Sequence, residues 1–241
     1  MNAFDTLHYQ EQRRCFSAVF APDYLSDRLE RTTRLEDGLT VQTRYYNGMP
    51  PSCRYQIHAS ENTLLDGDGK ALYRWQNLND SGDFCRLIHH RNGNRYLVFR
   101  CDLYGYSVLE LETGRDSHYL PLESEPEKQA DFRETFLWTG AEYHRESGLL
   151  AVPGCYWACP TSTIVLDFTH PLTPQERWLE LHEILDPGYD KYDDLIFDGW
   201  DDEKDLLLRG FSVETLQYEP LAVPIPVLLE KLGEGTGHGV A

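Results

Sequence analysis

Apolar positions along this chain recur with a period of two far more often than with a period of 3.6. Residues 84–90 (FCRLIHH), 96–101 (YLVFRC) and 106–111 (YSVLEL) each keep apolar side chains at alternate or consecutive positions over a short run. That is the pattern of half-buried or buried strands. The turn between the first two contains Asn92-Gly93, the strongest two-residue hairpin signal. Thr113-Gly114 supplies the next turn, and residues 118–120 make a short outer strand closed by Pro121. This stretch therefore predicts a four-stranded antiparallel meander.

The same grammar recurs on both sides. Downstream, residues 135–144, 149–153, 163–168 and 177–181 make one copy, and residues 195–200, 206–210 and 214–218 make another. Upstream, residues 54–59, a turn at 60–62, residues 63–65 and residues 71–75 make a further copy, with Asp66-Gly67-Asp68-Gly69 as its second turn. Cys101 and Gly154-Cys155 both follow the second strand of their copies. A four-stranded unit of about 40 residues is the size of one propeller blade. The expected class is all-β: a small or incomplete β-propeller of about four antiparallel blades, with a β-sandwich or twisted antiparallel sheets as the alternative. In this strand grammar the chain resembles WD40-like and kelch-like β-propeller repeat proteins. Their diagnostic residue signatures are absent, so the resemblance implies architecture and no function.

Residues 1–36 read as an N-terminal arm or a short helix, the latter at 24–31, residues 37–230 as a single β-rich repeat domain, and residues 231–241 as a mobile Gly-rich tail. The strand at 39–46 is expected to complete the last blade and so tie the termini together. Residues 123–133 read as a charged, exposed loop. Residues 220–226 (PLAVPIP) read as an edge strand or terminal clamp, because proline cannot donate to a ladder.

Charge narrows the partners. Forty Asp and Glu stand against 22 Lys and Arg, a net charge of −18. A surface of that sign repels phosphate backbones and anionic lipids, so neither nucleic acid nor membrane is an expected partner. No apolar run approaches the roughly 18 residues of a membrane span. The N-terminus lacks the pattern of an export signal, which makes the cytoplasm the expected compartment. The six cysteines are expected to be free and to pack in the core. Cys155 and Cys159 form a C-x-x-x-C pair without the two-residue spacer of redox or zinc motifs. No metal and no cofactor is expected: nucleotide-binding glycine loops and the G-x-S-x-G elbow are missing, and His89 and His90 point to opposite faces of one strand.

The densest chemistry lies between Asp186 and Asp205, where nine acidic residues are interleaved with two Tyr and one Trp. Tyr189, Asp190, Tyr192, Asp193, Asp194, Asp198, Trp200, Asp201 and Asp202 form the candidate partner-binding set. Aromatics supply buried area at interfaces, and carboxylates pair with Arg or Lys and speed encounter with a cationic surface. The expected function is a non-enzymatic module that binds a basic protein partner, by analogy of size and charge with immunity proteins that neutralise bacterial toxins. A hydrolase acting on a carbohydrate or small ester in a propeller cavity is the alternative, together with a scaffold module. No catalytic residue is singled out, since nothing selects one carboxylate pair from the many.

Overall fold

The computed structural model describes residues 2–26, 30–78, 84–121, 135–175, 177–201 and 204–233. Four antiparallel sheets account for most of them. The first has the order β1-β2-β3-β4, formed by Arg31–Arg34, Thr40–Gly48, Ile57–Leu65 and Ala71–Leu78. The second has the order β5-β6-β7-β8, formed by Cys85–His89, Arg95–Phe99, Tyr106–Glu110 and Asp116–Tyr119. In the third, β10 (Glu142–His144), β11 (Leu149–Cys155), β12 (Thr161–Asp167) and β13 (Leu179–Glu180) follow in order, and β9 (Leu137–Trp138) also pairs with β11. The fourth is β14-β15-β16, formed by Tyr192–Trp200, Asp205–Ser212 and Gln217–Pro224. By internal contacts the chain divides into two compact units: Met1–Ile88 with Asn94–Thr135, and His89–Gly93 with Phe136–Ala241.

In the first unit, alternation along β2, β3 and β4 turns Val41, Leu64 and Trp75 to one face. There they meet Leu87, Leu97, Phe99 and Leu109 from β5, β6 and β7. Phe99 is fully buried, with its ring centroid 4.7 Å from that of Trp75. Burying each such side chain is worth about 1.5–3 kcal/mol. The opposite face of β2–β4 is covered at one end by Phe16 and Val19, which pack on Tyr46, Ile57, Ala59 and Leu78. These two covering residues come from helix α1 (Leu7–Phe16) and the 3-10 turn that follows it. Thr6 caps α1 by accepting the Tyr9 N–H at 3.2 Å. Tyr9, Arg13 and Phe16 share one face of the helix and turn it toward the sheets. Tyr9 donates to Asp102 at 2.7 Å and Arg13 to the Cys101 carbonyl at 2.8 Å. Gly105, at φ +75°, packs so closely that a Cβ there would lie 2.0 Å from the Tyr119 carbonyl oxygen.

The second unit buries Leu149, Ala151 and Val165 of the third sheet against Leu195, Leu206, Leu208 and Val223 of the fourth. Helices α2 (Leu181–Leu185) and α3 (Ile225–Gly233) add Leu181, Ile225 and Leu228 to this core. Gly154 lets β9 approach β11, since a Cβ would sit 2.0 Å from the Leu137 carbonyl oxygen.

Several expectations need correction. The described N-terminal helix is α1; of the helix expected at 24–31, Tyr24 closes a 3-10 turn, Arg31 begins β1, and residues 27–29 lie outside the described residues. The strand at 39–46 corresponds to β2, which lies between β1 and β3 and so does not complete the last sheet. No turn interrupts residues 60–62, because β3 runs unbroken from Ile57 to Leu65 and pairs along its length with β2. Residues 135–144 form two short strands rather than one. Residues 214–216 belong to a turn, and the last strand begins at Gln217. As expected from its prolines, β16 is outermost among the described strands of its sheet, but the chain then enters α3 at Ile225. Pro226 falls in the first turn of that helix, where its missing N–H costs nothing. The cysteines do not pack in the core as expected: of the six only Cys101 is buried, and Cys159 is exposed at the tip of the β11–β12 hairpin. The loop at 123–133 and most of the tail fall outside the described residues. No helix among those described is long and apolar enough to cross a membrane.

Candidate functional site

The acidic segment divides by function once its residues are placed. Asp186, at the end of α2, is buried and works inward. Its carboxylate accepts the backbone N–H groups of Asp190, Lys191 and Tyr192 at 3.2, 2.9 and 2.9 Å. Burial alone would raise its pKa, but these donors outweigh that and hold it below the usual carboxylate value. The carboxylate thereby ties residues 187–191 into a tight loop in which Tyr189 takes φ +52°.

Tyr192 does not belong to a partner face: it is buried in the core of the second unit. The β-bulge between Tyr192 and Leu195 decides this, since it turns both to the side that Leu206 and Leu208 occupy. Trp200 is likewise committed. It packs against the same core, its indole N–H donates to the Glu142 carbonyl at 3.0 Å, and its ring lies on His144. Asp194 is a local tie, accepting the Thr161 N–H at 2.7 Å and the Tyr218 hydroxyl at 3.1 Å. Asp198 pairs with Arg209 at 3.1 Å, both half-exposed. Asp201 is exposed beside the turn into β15, and Asp202 lies outside the described residues.

What remains is Tyr189, Asp190 and Asp193, and the structure adds neighbours that sequence reading missed. Tyr189 is 59% exposed and stacks on His182 at 5.2 Å between ring centroids. The turn between β15 and β16 is fastened to the same loop, with the Val213 N–H donating to the Lys191 carbonyl at 3.0 Å. That turn exposes Val213 and Leu216, and Tyr218 follows on β16. The β11–β12 hairpin comes to the same end, because Thr161 is held by Asp194 and Tyr156 bonds Glu180 through its hydroxyl. Burial, then that carboxylate, pushes the Tyr156 hydroxyl pKa far upward. The tip of this hairpin presents Trp157, 61% exposed. Exposed Asp190, Asp193 and Glu214 lie on the same loop, strand and turn, Glu183 acts on Tyr189, and none of the four enters a salt bridge among the described residues. Single exposed apolar residues at three separate turns have no pattern in sequence, which is why they escaped notice.

A second cluster sits in the first unit. Ser107 and His118 are directly opposed on β7 and β8, with Ser107 Oγ 2.8 Å from His118 Nδ1. Asp116, two residues along β8, places Oδ2 3.5 Å from His118 Nε2 and also accepts the Tyr73 hydroxyl. These are the residue types of a nucleophilic triad. Ser107 is 1% exposed and donates to Cys101 Sγ at 3.3 Å, and Phe4 stacks on His118 at 4.4 Å. The adjoining cavity holds about 10 Å³, room for one water and no acyl group. Burial pushes the Cys101 thiol up to about 11 and holds His118 below its ordinary value. In this arrangement the cluster ties strands together. Among the described residues no group of three or more His, Cys, Asp or Glu has the arrangement of a metal site. Asp66 likewise serves a turn, accepting the N–H groups of Asp68 and Lys70.

No protein family's sequence profile matches this chain, and no curated protein does. Among solved structures it is similar to a crystal structure of HIRA residues 644–1017. The identity is 11% and the TM-score 0.34, over 83% of this chain and 55% of that one. It is also similar to a mutant apocarotenoid oxygenase of Synechocystis, at 8% identity and a TM-score of 0.25, over 86% of this chain and 61% of that one. The chain thus spans little more than half the length of either. At these scores neither likeness supports an assignment.

Proposed function

We propose that this chain is a protein-binding module whose acidic, aromatic rim on the second unit recognises a basic protein surface. One observation carries the reading. Trp157, Tyr189, Val213, Leu216 and Tyr218, exposed large apolar residues of that unit, emerge from turns and an adjoining strand end beside carboxylates that enter no ion pair among the described residues. Exposed apolar groups ringed by charge mark interaction sites, and the aromatic members provide the anchors. The rim is built on strand ends and on a loop locked by Asp186, so little ordering cost attends binding. A cationic toxin neutralised by an immunity-type blocker fits this chemistry.

Affinity purification of the full chain from its native host, washed from low to high salt, tests the reading. A stoichiometric basic partner released by salt is expected. The Asp190→Lys, Asp193→Lys double variant should slow association by about tenfold or more at low salt. Binding that is unchanged by both substitutions would remove this rim from contention.

We infer also that the four sheets are blades of an incomplete propeller. Three of them run largely in sequence order as antiparallel meanders of four or more strands and the last as one of three, which supports this reading. An experimental structure in which the sheets do not radiate from a common axis would overturn it.

A further inference from the structure

The first sheet carries a polar groove that the protein-binding reading does not use. Cover by α1 and its following turn stops part-way along the outer face of β2–β4. Beyond that point the same face borders an open groove of about 790 Å³. This is within the volume range of small-molecule sites. Register fixes its floor: Arg44, Glu61 and Gln76 stand opposite one another across three strands, and Gln42, Thr63 and Arg74 form the next row. Strand spacing puts the Cα atoms of Arg44 and Arg74 about 12 Å apart, within reach of one group bound between them once Arg44 swings from Glu30 toward β3.

In a chain of net charge −18, this groove is lined by three guanidiniums and a single carboxylate. Arg13 at its wall is held by the backbone carbonyls of Cys101 and Gln76, at 2.8 and 3.3 Å, rather than by an acid. Arg74 is exposed and has no ion-pair partner among the described residues. Arg44 pairs with Glu30 at 2.5 Å, both more than half exposed, and a surface pair of that kind is easily exchanged. The carboxylate, Glu61, is already turned to neutral donors: Gln76 Nε2 at 3.0 Å and the Tyr46 hydroxyl at 2.8 Å. Burial, then that bond, pushes the Tyr46 hydroxyl up to about 12.

We propose that this groove binds a phosphate ester of a polyol, a ligand of the sugar-phosphate class. The guanidinium forks of Arg44 and Arg74, with Arg13 behind them, take the phosphate. Gln42, Thr63, Gln76 and Glu61 offer amide, hydroxyl and carboxylate groups to the hydroxyls of the body. An apolar ligand would leave these groups unpaired.

Isothermal titration of the full chain with glucose 6-phosphate, inorganic phosphate, glucose and citrate tests this. Saturable binding of glucose 6-phosphate is expected, tighter than that of inorganic phosphate, with no heat from glucose. Arg44→Gln and Arg74→Gln should each weaken it about tenfold and together abolish it. Arg209→Gln, in the second unit, should leave it unchanged. Thermal unfolding of each variant without ligand checks that these exposed substitutions leave the fold intact. The proposal is overturned by absence of glucose 6-phosphate binding, by binding that survives the double substitution, by citrate binding in its place, or by equal affinity for inorganic phosphate.

Discussion

Two groups of acidic residues, one in each unit, are used in opposite ways. In the first, Glu110 is nearly inaccessible and fully occupied. It accepts from Thr113, from Asn94 at 2.8 Å, from Tyr96 at 2.9 Å and from Arg115 at 2.8 Å. Nearby, Arg95 bridges Glu112 at 2.9 Å and Asp37 at 3.2 Å. There the acids close hairpins and join β6 to β7. In the second unit, Asp190, Asp193, Glu183 and Glu214 face solvent beside exposed aromatics, with no cation among the described residues brought to them. Residue type is the same in both regions. What separates a structural carboxylate from a recognition carboxylate is whether the fold supplies it with donors.

The sharpest way to break this contrast lies in the second unit itself, where Asp186 behaves like Glu110. Asp186→Ala strands three backbone N–H groups, one of them on the buried Tyr192. It should cost about 3 kcal/mol in chemical denaturation. A loss below about 1 kcal/mol would show that water replaces the carboxylate and that the loop is not locked. The next largest effect belongs to Glu110→Gln, at about 2 kcal/mol, since the amide cannot serve all four donors.

Acid sharpens the same point. Hydrogen bonds from Thr113 and Arg115, against the opposing effect of burial, hold the Glu110 carboxyl down to about 2. An unfolded glutamate titrates near 4.3, so the ionised form of Glu110 stabilises the fold fully above that pH. The contribution drains away as the pH falls through about 2. Denaturation midpoints recorded between those values should drop for the native chain and stay flatter for Glu110→Gln. Equal slopes would show that Glu110 is not the group responsible. Smallest of all, Asp193→Asn should move stability by no more than about 0.5 kcal/mol, and upward if like-charge repulsion matters at the rim. A large loss would mean that Asp193 has a structural partner and belongs with Glu110.

Legibility from sequence followed the range of the interactions. The β5–β8 meander could be read almost residue by residue, because Asn92-Gly93 and Thr113-Gly114 fix its turns locally and the strands between them are apolar. Helix α1 was missed since its sequence, LHYQEQRRCF, is polar nearly all round. What buries Phe16 is the first sheet, and what buries Tyr9 includes Tyr104 and Leu120, both far along the chain. Helix α3 was hidden by the prolines that also mark the edge of β16. Of the candidate rim, Tyr189, Asp190 and Asp193 were legible as an acidic, aromatic segment, while Trp157, Val213 and Leu216 were not. Tyr192 and Trp200 were misplaced because the register of β14, with its bulges between Tyr192 and Leu195 and between Phe197 and Gly199, cannot be counted from composition.

By itself, then, the sequence determined the all-β character, the hairpin turns and the strongly negative charge. Each of these depends on local pattern or on a sum over residues. Tertiary structure decided which carboxylates meet donors and which meet water. It also decided which aromatics enter the core, and that three arginines on separate elements line one groove. Those outcomes depend on strand register and on packing between distant segments, and a change of one residue in register turns a side chain from one face to the other.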